Sequence, residues 1–152
     1  MYFSDIGRLP RVKAKKKKSK RKGKPTVIKL KRVYDSADSS DGTRFLVERL
    51  WPRGVKKTAL RVEAWLKDVA PSTALRQWFK HDPKKWEQFQ RRYRRELDAN
   101  PEALRPIVEA AGSGNVTLVY SSHDAEHNNA VVLKDYVEGK LHKKSNHRKS
   151  AA

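Results

Sequence analysis

Two stretches of this 152-residue chain gather the residue types that handle protons and negative charge. The first, ERLWPRG at 48–54, sets Glu48, Arg49, Trp51 and Arg53 directly after the apolar run Phe45-Leu46-Val47. The second, SSHDAEHNN at 121–129, sets Ser121, Asp124, His127 and Asn128 directly after the apolar run ending at Tyr120. The guanidinium forks of Arg49 and Arg53 match the geometry of carboxylate and phosphate. An imidazole moves protons near neutrality, so His127, or Asp124 beside it, is the candidate for acid–base catalysis. With Arg44 and Lys67 as further cations, the chemistry on offer is binding of an anionic small molecule, a nucleotide or a nucleic-acid component.

Each of these residues also has a plain structural use. Asp124 suits a helix cap. His127 is also simply a lone surface histidine. Trp51 with Pro52 reads either as a packing plug or as a platform for stacking a base. Glu48 beside Arg49 reads as a structural ion pair, and Ser121 and Asn128 as residues that orient loops. The sequence has no Cys, and His81 and His127 stand far apart, so no metal site is expected. It carries no P-loop, GxGxxG or GxSxG, and nothing calls for a cofactor.

The elements that would position these residues follow from periodicity and turn chemistry. TVIKLKRVYD, from Thr26, mixes apolar and basic positions as an edge strand does. Asp41-Gly42 marks a turn, and TRFLVERLW is a second strand, apolar on both parities. NVTLVYSS is a third. Between them, RVEAWLKDVA has Val62, Trp65, Leu66 and Val69 at helical spacing. Asp82-Pro83 opens a stronger helix, with Trp86, Phe89, Tyr93 and Leu97 inward and Lys84, Gln88, Arg91, Arg92 and Arg95 outward. That basic face is either an ordinary solvated surface or a phosphate contact. PEALRPIVEAAG is another helix. The last begins near Asp124 and buries Ala130, Leu133, Val137 and Leu141, which places Asp124, His127 and Asn128 together on its first turn.

The expected fold is therefore α/β: a small sheet of about three mostly parallel strands packed with about five helices, in the order β-β-α-α-α-β-α. If the second and third strands are parallel, both polar stretches share the carboxyl rim of the sheet, where such folds bind ligands.

Charge is distributed unevenly. The net charge is +19, yet residues 27–141 hold 21 basic and 16 acidic side chains, whereas residues 1–26 hold 11 basic and 1 acidic. Lys15, Lys16, Lys17, Lys18, Lys20, Arg21 and Lys22 dominate an arm, 1–25, too charged to collapse. It reads as a disordered electrostatic arm for DNA or RNA, or as a solubility tail. A single domain is expected at 26–141 and a flexible basic tail at 142–152. No run of about 18 apolar residues is present and no secretory h-region opens the chain. With no Cys, a cytoplasmic protein with no membrane segment is expected; oligomeric state is not legible.

The segments KRVYD at 31–35, DGTRFLVERLWPRG at 41–54, WLKDVAPS at 65–72, LRQWFKHDPKKWEQFQRRYRREL at 75–97 and VTLVYSSHDAEHNNAVVL at 116–133 resemble, taken together, the family of domains of unknown function numbered 488 (DUF488), in its YeaO-like branch. The resemblance covers nearly all of residues 28–141. It implies an α/β domain and no established activity. The wider family pairs an Asp-x-Arg motif at a strand end with a later Cys-His-Arg-like helix start. Glu48 and Arg49 answer the first with the intervening position lost or shifted by one, and the region of His127 answers the second. The missing Cys argues against thiol chemistry, and the basic arm lies outside the resemblance.

Overall fold

The computed structural model describes the backbone of residues 26–151 and the side chains of 26–143. The basic arm, Lys15 to Lys22 included, lies outside the described residues. Four strands form one parallel sheet: β1 (Ile28–Arg32), β2 (Thr43–Leu46), β3 (Ala64–Trp65) and β4 (Val116–Tyr120), in the spatial order β1-β4-β2-β3. β4 is apolar on both parities because both its neighbours and both its faces are covered, and all five of its residues are buried. In register, Ile28 and Thr43 both lie opposite Val116, so β1 and β2 start level on either side of it. β1 is an edge strand, as its mixed pattern required.

Five α-helices among the described residues complete the fold: α1 (Lys57–Leu60), α2 (Thr73–Phe79), α3 (Trp86–Ala99), α4 (Arg105–Ala111) and α5 (Asn129–Ala151). Phe89, Tyr93 and Leu97 of α3 and Ala130, Leu133 and Val137 of α5 are buried in the main core with Ile28, Phe45, Val116 and Leu118. A smaller core on the other face gathers Leu46, Val119 and Leu60 under Trp51 and Trp65. Among the described residues no helix is long and apolar enough to cross a membrane.

The turn at Asp41-Gly42 is built as its sequence demands. Gly42 has φ 66°, and a Cβ there would fall 2.0 Å from the carbonyl oxygen of Asn115, so only glycine fits. Asp41 is fully buried and takes Arg44 at 2.7 Å, Lys31 at 2.9 Å and Lys29 at 3.2 Å. Burial opposes its charge, but these donors outweigh burial and hold its carboxyl well below the ordinary carboxylate range.

The expected small α/β sheet is present, with four strands whose pairings are all parallel. Three local expectations are corrected. The segment 61–70 is not a helix: the Glu63 and Leu66 amides donate to the Arg44 and Leu46 carbonyls at 2.7 and 2.8 Å, making Ala64–Trp65 the outer strand. The free edge of β2 supplied acceptors that outbid a local helix whose first residue, Arg61, already sits at φ 57°. An unexpected helix, α2, follows Ser72, whose hydroxyl accepts from the Leu75 amide at 3.1 Å. Lastly, α5 starts at Asn129 rather than near Asp124; its backbone continues to Ala151, and residues 142–151 contain no Gly or Pro to stop it.

Candidate functional site

The carboxyl ends of β2 and β4 open on a cavity of about 360 Å³, within the range of small-molecule pockets. Glu48 enters it from the end of β2, and Ser121 and Ser122 from the end of β4. Phe79 and Phe89 form its apolar side, stacked with ring centroids 4.3 Å apart, and Trp86 extends the stack at 5.6 Å from Phe89.

Glu48 is the group least expected in such surroundings. Burial pushes its carboxyl above the usual range, opposed by the Ser121 amide, which donates to Oε2 at 3.0 Å, and by the positive charge of Arg76. Arg49 does not pair with it. The Arg49 guanidinium instead donates to the Ala70 carbonyl at 2.9 Å and lies 3.8 Å from Asp68, behind the pocket wall. Consecutive residues after a strand point to opposite sides, which separates the two.

Arg76, Lys80 and His81, from the end of α2, supply its cationic and imidazole groups, with Gln77 and Asn129 as further polar lining. Lys80 and His81 have φ of 47° and 56°, a region costing a non-glycine residue about 1 kcal/mol or more. That consecutive pair of left-handed residues turns the chain back over the cavity mouth, and such local strain is concentrated where it serves a site. None of the three figured among the sequence candidates, because α2 itself was not recognised.

Ser121 and Asn128 do line the cavity. Asn128 is almost fully buried and caps α5: its Oδ1 accepts from the Val131 amide at 3.1 Å and its Nδ2 donates to the Asp124 carbonyl at 2.8 Å. Asp124 holds the preceding turn. Its Oδ1 accepts from the Glu126 and His127 amides, bonds that lower its pKa, and its Oδ2 lies 3.0 Å from His127 Nδ1. The His127 ring also meets the edge of Trp86 at 5.1 Å. This carboxylate–imidazole pair has the form of a proton-transfer dyad, yet neither member is part of the cavity wall.

The remaining candidates lie elsewhere. Arg44 is buried at the amino half of β2, donating to the Leu60 and Arg61 carbonyls as well as to Asp41. Trp51 is a packing plug, its indole donating to the Val55 carbonyl at 2.6 Å and its ring edge-on to Trp65 at 5.2 Å. Lys67 is exposed and lies over the Trp65 ring at 4.2 Å. Arg53 is exposed in the loop after Trp51, its carbonyl facing the Tyr34 hydroxyl. Among the described residues no cluster of three His, Asp or Glu side chains is placed to hold a metal ion.

The family profile described as "Inactive DUF488-N3 subclade" matches residues 27–152. The uncharacterized protein YeaO of Escherichia coli is 41% identical over 110 residues, covering 72% of this chain and 96% of that protein. The uncharacterized proteins Mb3100c of Mycobacterium bovis and Rv3073c of Mycobacterium tuberculosis are each 38% identical over 115 residues, covering 76% of this chain and 97% of theirs. No solved structure matches. With the profile spanning the sheet, the cavity and all five helices, the chain belongs to the DUF488 family, in its inactive DUF488-N3 subclade.

Proposed function

We propose that the domain binds a nucleoside phosphate in the cavity at the strand carboxyl ends and does so without turning it over. The observation that carries this reading is the placement of Glu48. A half-buried carboxylate accepts hydrogen bonds and repels anions, so a bare phosphate or carboxylate is a poor occupant of the deep end. Its natural complement is a group with N–H or O–H donors, while Arg76 and Lys80 meet negative charge. The Phe79–Phe89 side suits a flat, weakly polar ring. A molecule with a donor-bearing ring at one end and a phosphate at the other satisfies all three, and a nucleotide is such a molecule. The subclade's description as inactive, and the position of Asp124 and His127 off the cavity wall, favour binding over catalysis.

Calorimetric titration of the full chain with nucleosides, nucleoside monophosphates and inorganic phosphate tests this. A monophosphate should bind more tightly than either the nucleoside or phosphate alone. Arg76→Ala should remove the phosphate increment and Glu48→Gln the ring increment. Equal affinity for phosphate alone, or no nucleotide binding at millimolar concentration, refutes the reading.

A second reading, nucleic-acid binding through the arm at 1–25, is favoured by composition: 11 basic residues against 1 acidic over residues 1–26. Deleting residues 1–25 and measuring oligonucleotide affinity across a salt series tests it, with a steep salt dependence lost on deletion as the expected result.

A further inference from the structure

The outward face of α3 carries a second concentration of positive charge, independent of the cavity. Lys84, Arg91, Arg92 and Arg95 are all exposed, and among the described residues none of them reaches a carboxylate within salt-bridge distance. At about 100° per residue Arg91, Arg92 and Arg95 share one side of α3 with Gln88, and Lys84 lies in the 3-10 turn, Pro83–Lys85, that leads into the helix. The acidic groups of α3 that have partners are held elsewhere: Asp98 accepts from the Tyr136 hydroxyl of α5, beside the Arg94–Asp135 ion pair, and Glu96 accepts from the Ser72 amide and hydroxyl ahead of α2. Glu87, exposed one turn before Arg91, leaves the strip with an excess of positive charge.

One feature sets the strip apart from an ordinary solvated face. Trp78 of α2 lies against it, with the Arg92 guanidinium 4.2 Å and the Lys85 ammonium 5.0 Å from its ring centre. Lys85 is further fixed by donating to the Trp78 carbonyl at 2.8 Å. These contacts order two cations before any partner arrives, which lowers the entropy lost on binding. Aromatic rings interleaved with Arg and Lys along a rod are the composition of grooves that follow a sugar-phosphate backbone.

We infer that the α3 strip, Lys84 to Arg95 with Trp78, is a docking surface for single-stranded nucleic acid, read through its phosphates rather than its bases. Charge complementarity argues for this occupant: the strip presents four exposed cations with no carboxylate at salt-bridge distance among the described residues, in a chain whose net charge is +19. The surface does not depend on the cavity, because Trp78 and the four exposed cations are absent from its wall.

The test uses the full chain and a fluorescent 20-nucleotide single strand of mixed sequence, with binding followed by anisotropy from low to physiological salt. Each lost phosphate contact reduces the slope of log affinity against log salt by about 0.7, so R91Q/R95Q should lower it by about 1.4. R91K/R95K, which keeps the charge, should leave it unchanged. Amide chemical shifts of the unsubstituted chain provide a measurement independent of any variant, and the oligonucleotide should move those of residues 84–95. An unaltered slope in R91Q/R95Q, or shifts that leave residues 84–95 untouched, overturns the inference. Displacement of the strand by a poly-glutamate peptide as readily as by unlabelled oligonucleotide overturns it in favour of an acidic protein partner. Nucleoside monophosphate affinity should be the same in R91Q/R95Q as in the unsubstituted chain, which separates failure of this surface from failure of the cavity.

Discussion

The Ser121 amide donates to Glu48 Oε2 at 3.0 Å, joining the ends of the two central strands β2 and β4 in the cavity wall. This single bond orients a carboxylate whose burial works against its charge. Glu48→Gln keeps an acceptor for Ser121 and removes the buried charge, so it should stabilise the fold by about 1 kcal/mol at neutral pH. The sign follows from the raised pKa: between the unfolded value, 4.5, and the higher folded value, the native state binds more protons, and stability falls as pH rises. The advantage of the Gln variant should therefore shrink as pH drops and vanish below about 4.5, as denaturant midpoints at several pH values would show. Ligand affinity should move the opposite way, weakening in the more stable variant.

Asp41 has the reverse linkage. Its carboxyl is held low by Arg44, Lys31 and Lys29 against the cost of burial, so its contribution is present above the unfolded value of 3.8 and is lost as pH falls toward the folded one. Asp41→Asn should leave the buried Arg44 without its charge partner and cost about 3 kcal/mol at neutral pH. The deficit should narrow below pH 4 in acid titrations monitored by circular dichroism.

Lys80 closes α2 in the left-handed region, at φ 47° and ψ 35°. Lys80→Gly relieves that strain and should stabilise by about 1 kcal/mol in equilibrium unfolding. The same change removes a cation from the cavity wall and should weaken nucleoside monophosphate binding several-fold while leaving nucleoside binding unaffected. A variant that loses stability would show that other contacts of the Lys80 side chain outweigh its backbone cost.

His127→Ala removes the partner of Asp124 and an edge contact to Trp86 but no part of the cavity wall. Nucleotide affinity should change less than twofold, with a loss of stability of about 1 kcal/mol from the turn before α5. A large loss of affinity, measured by the same calorimetry, would place the imidazole in contact with ligand.

The sheet, α3 and the apolar stripe of α5 were legible because their patterns serve burial alone. VTLVY needs cover on both faces and β4 is the strand that receives it; Phe89, Tyr93 and Leu97 repeat at the helical period and all three are buried. Segment 61–70 misled because Val62, Trp65, Leu66 and Val69 satisfy helical spacing, while what decided its fate was the set of acceptors waiting on β2, a tertiary fact. The seven-residue α2 buries only Leu75 and Phe79, too few positions to show a period, and with it Arg76, Lys80 and His81 went unseen. Of the candidate site residues, Ser121 and Asn128 reach the cavity because the strand-end argument applies to them directly. Arg49, Trp51 and Arg53 do not, because the chain after Glu48 crosses to the other face of the sheet, where Trp51 joins the smaller core.

The place of β4 between β1 and β2 bears on how the chain is made. Neither of the first two strands is the other's neighbour; both hydrogen-bond to a segment that begins only at Val116, and until then β1 has no partner and β2 only the two-residue β3. A ribosome adding about 5–20 residues each second therefore releases both strands several seconds before their shared partner exists. Throughout that interval the nascent chain has exposed strand edges and an incomplete sheet, so newborn molecules should depend on chaperone protection, or on slow elongation between codons 46 and 116, more than the finished domain's size would indicate.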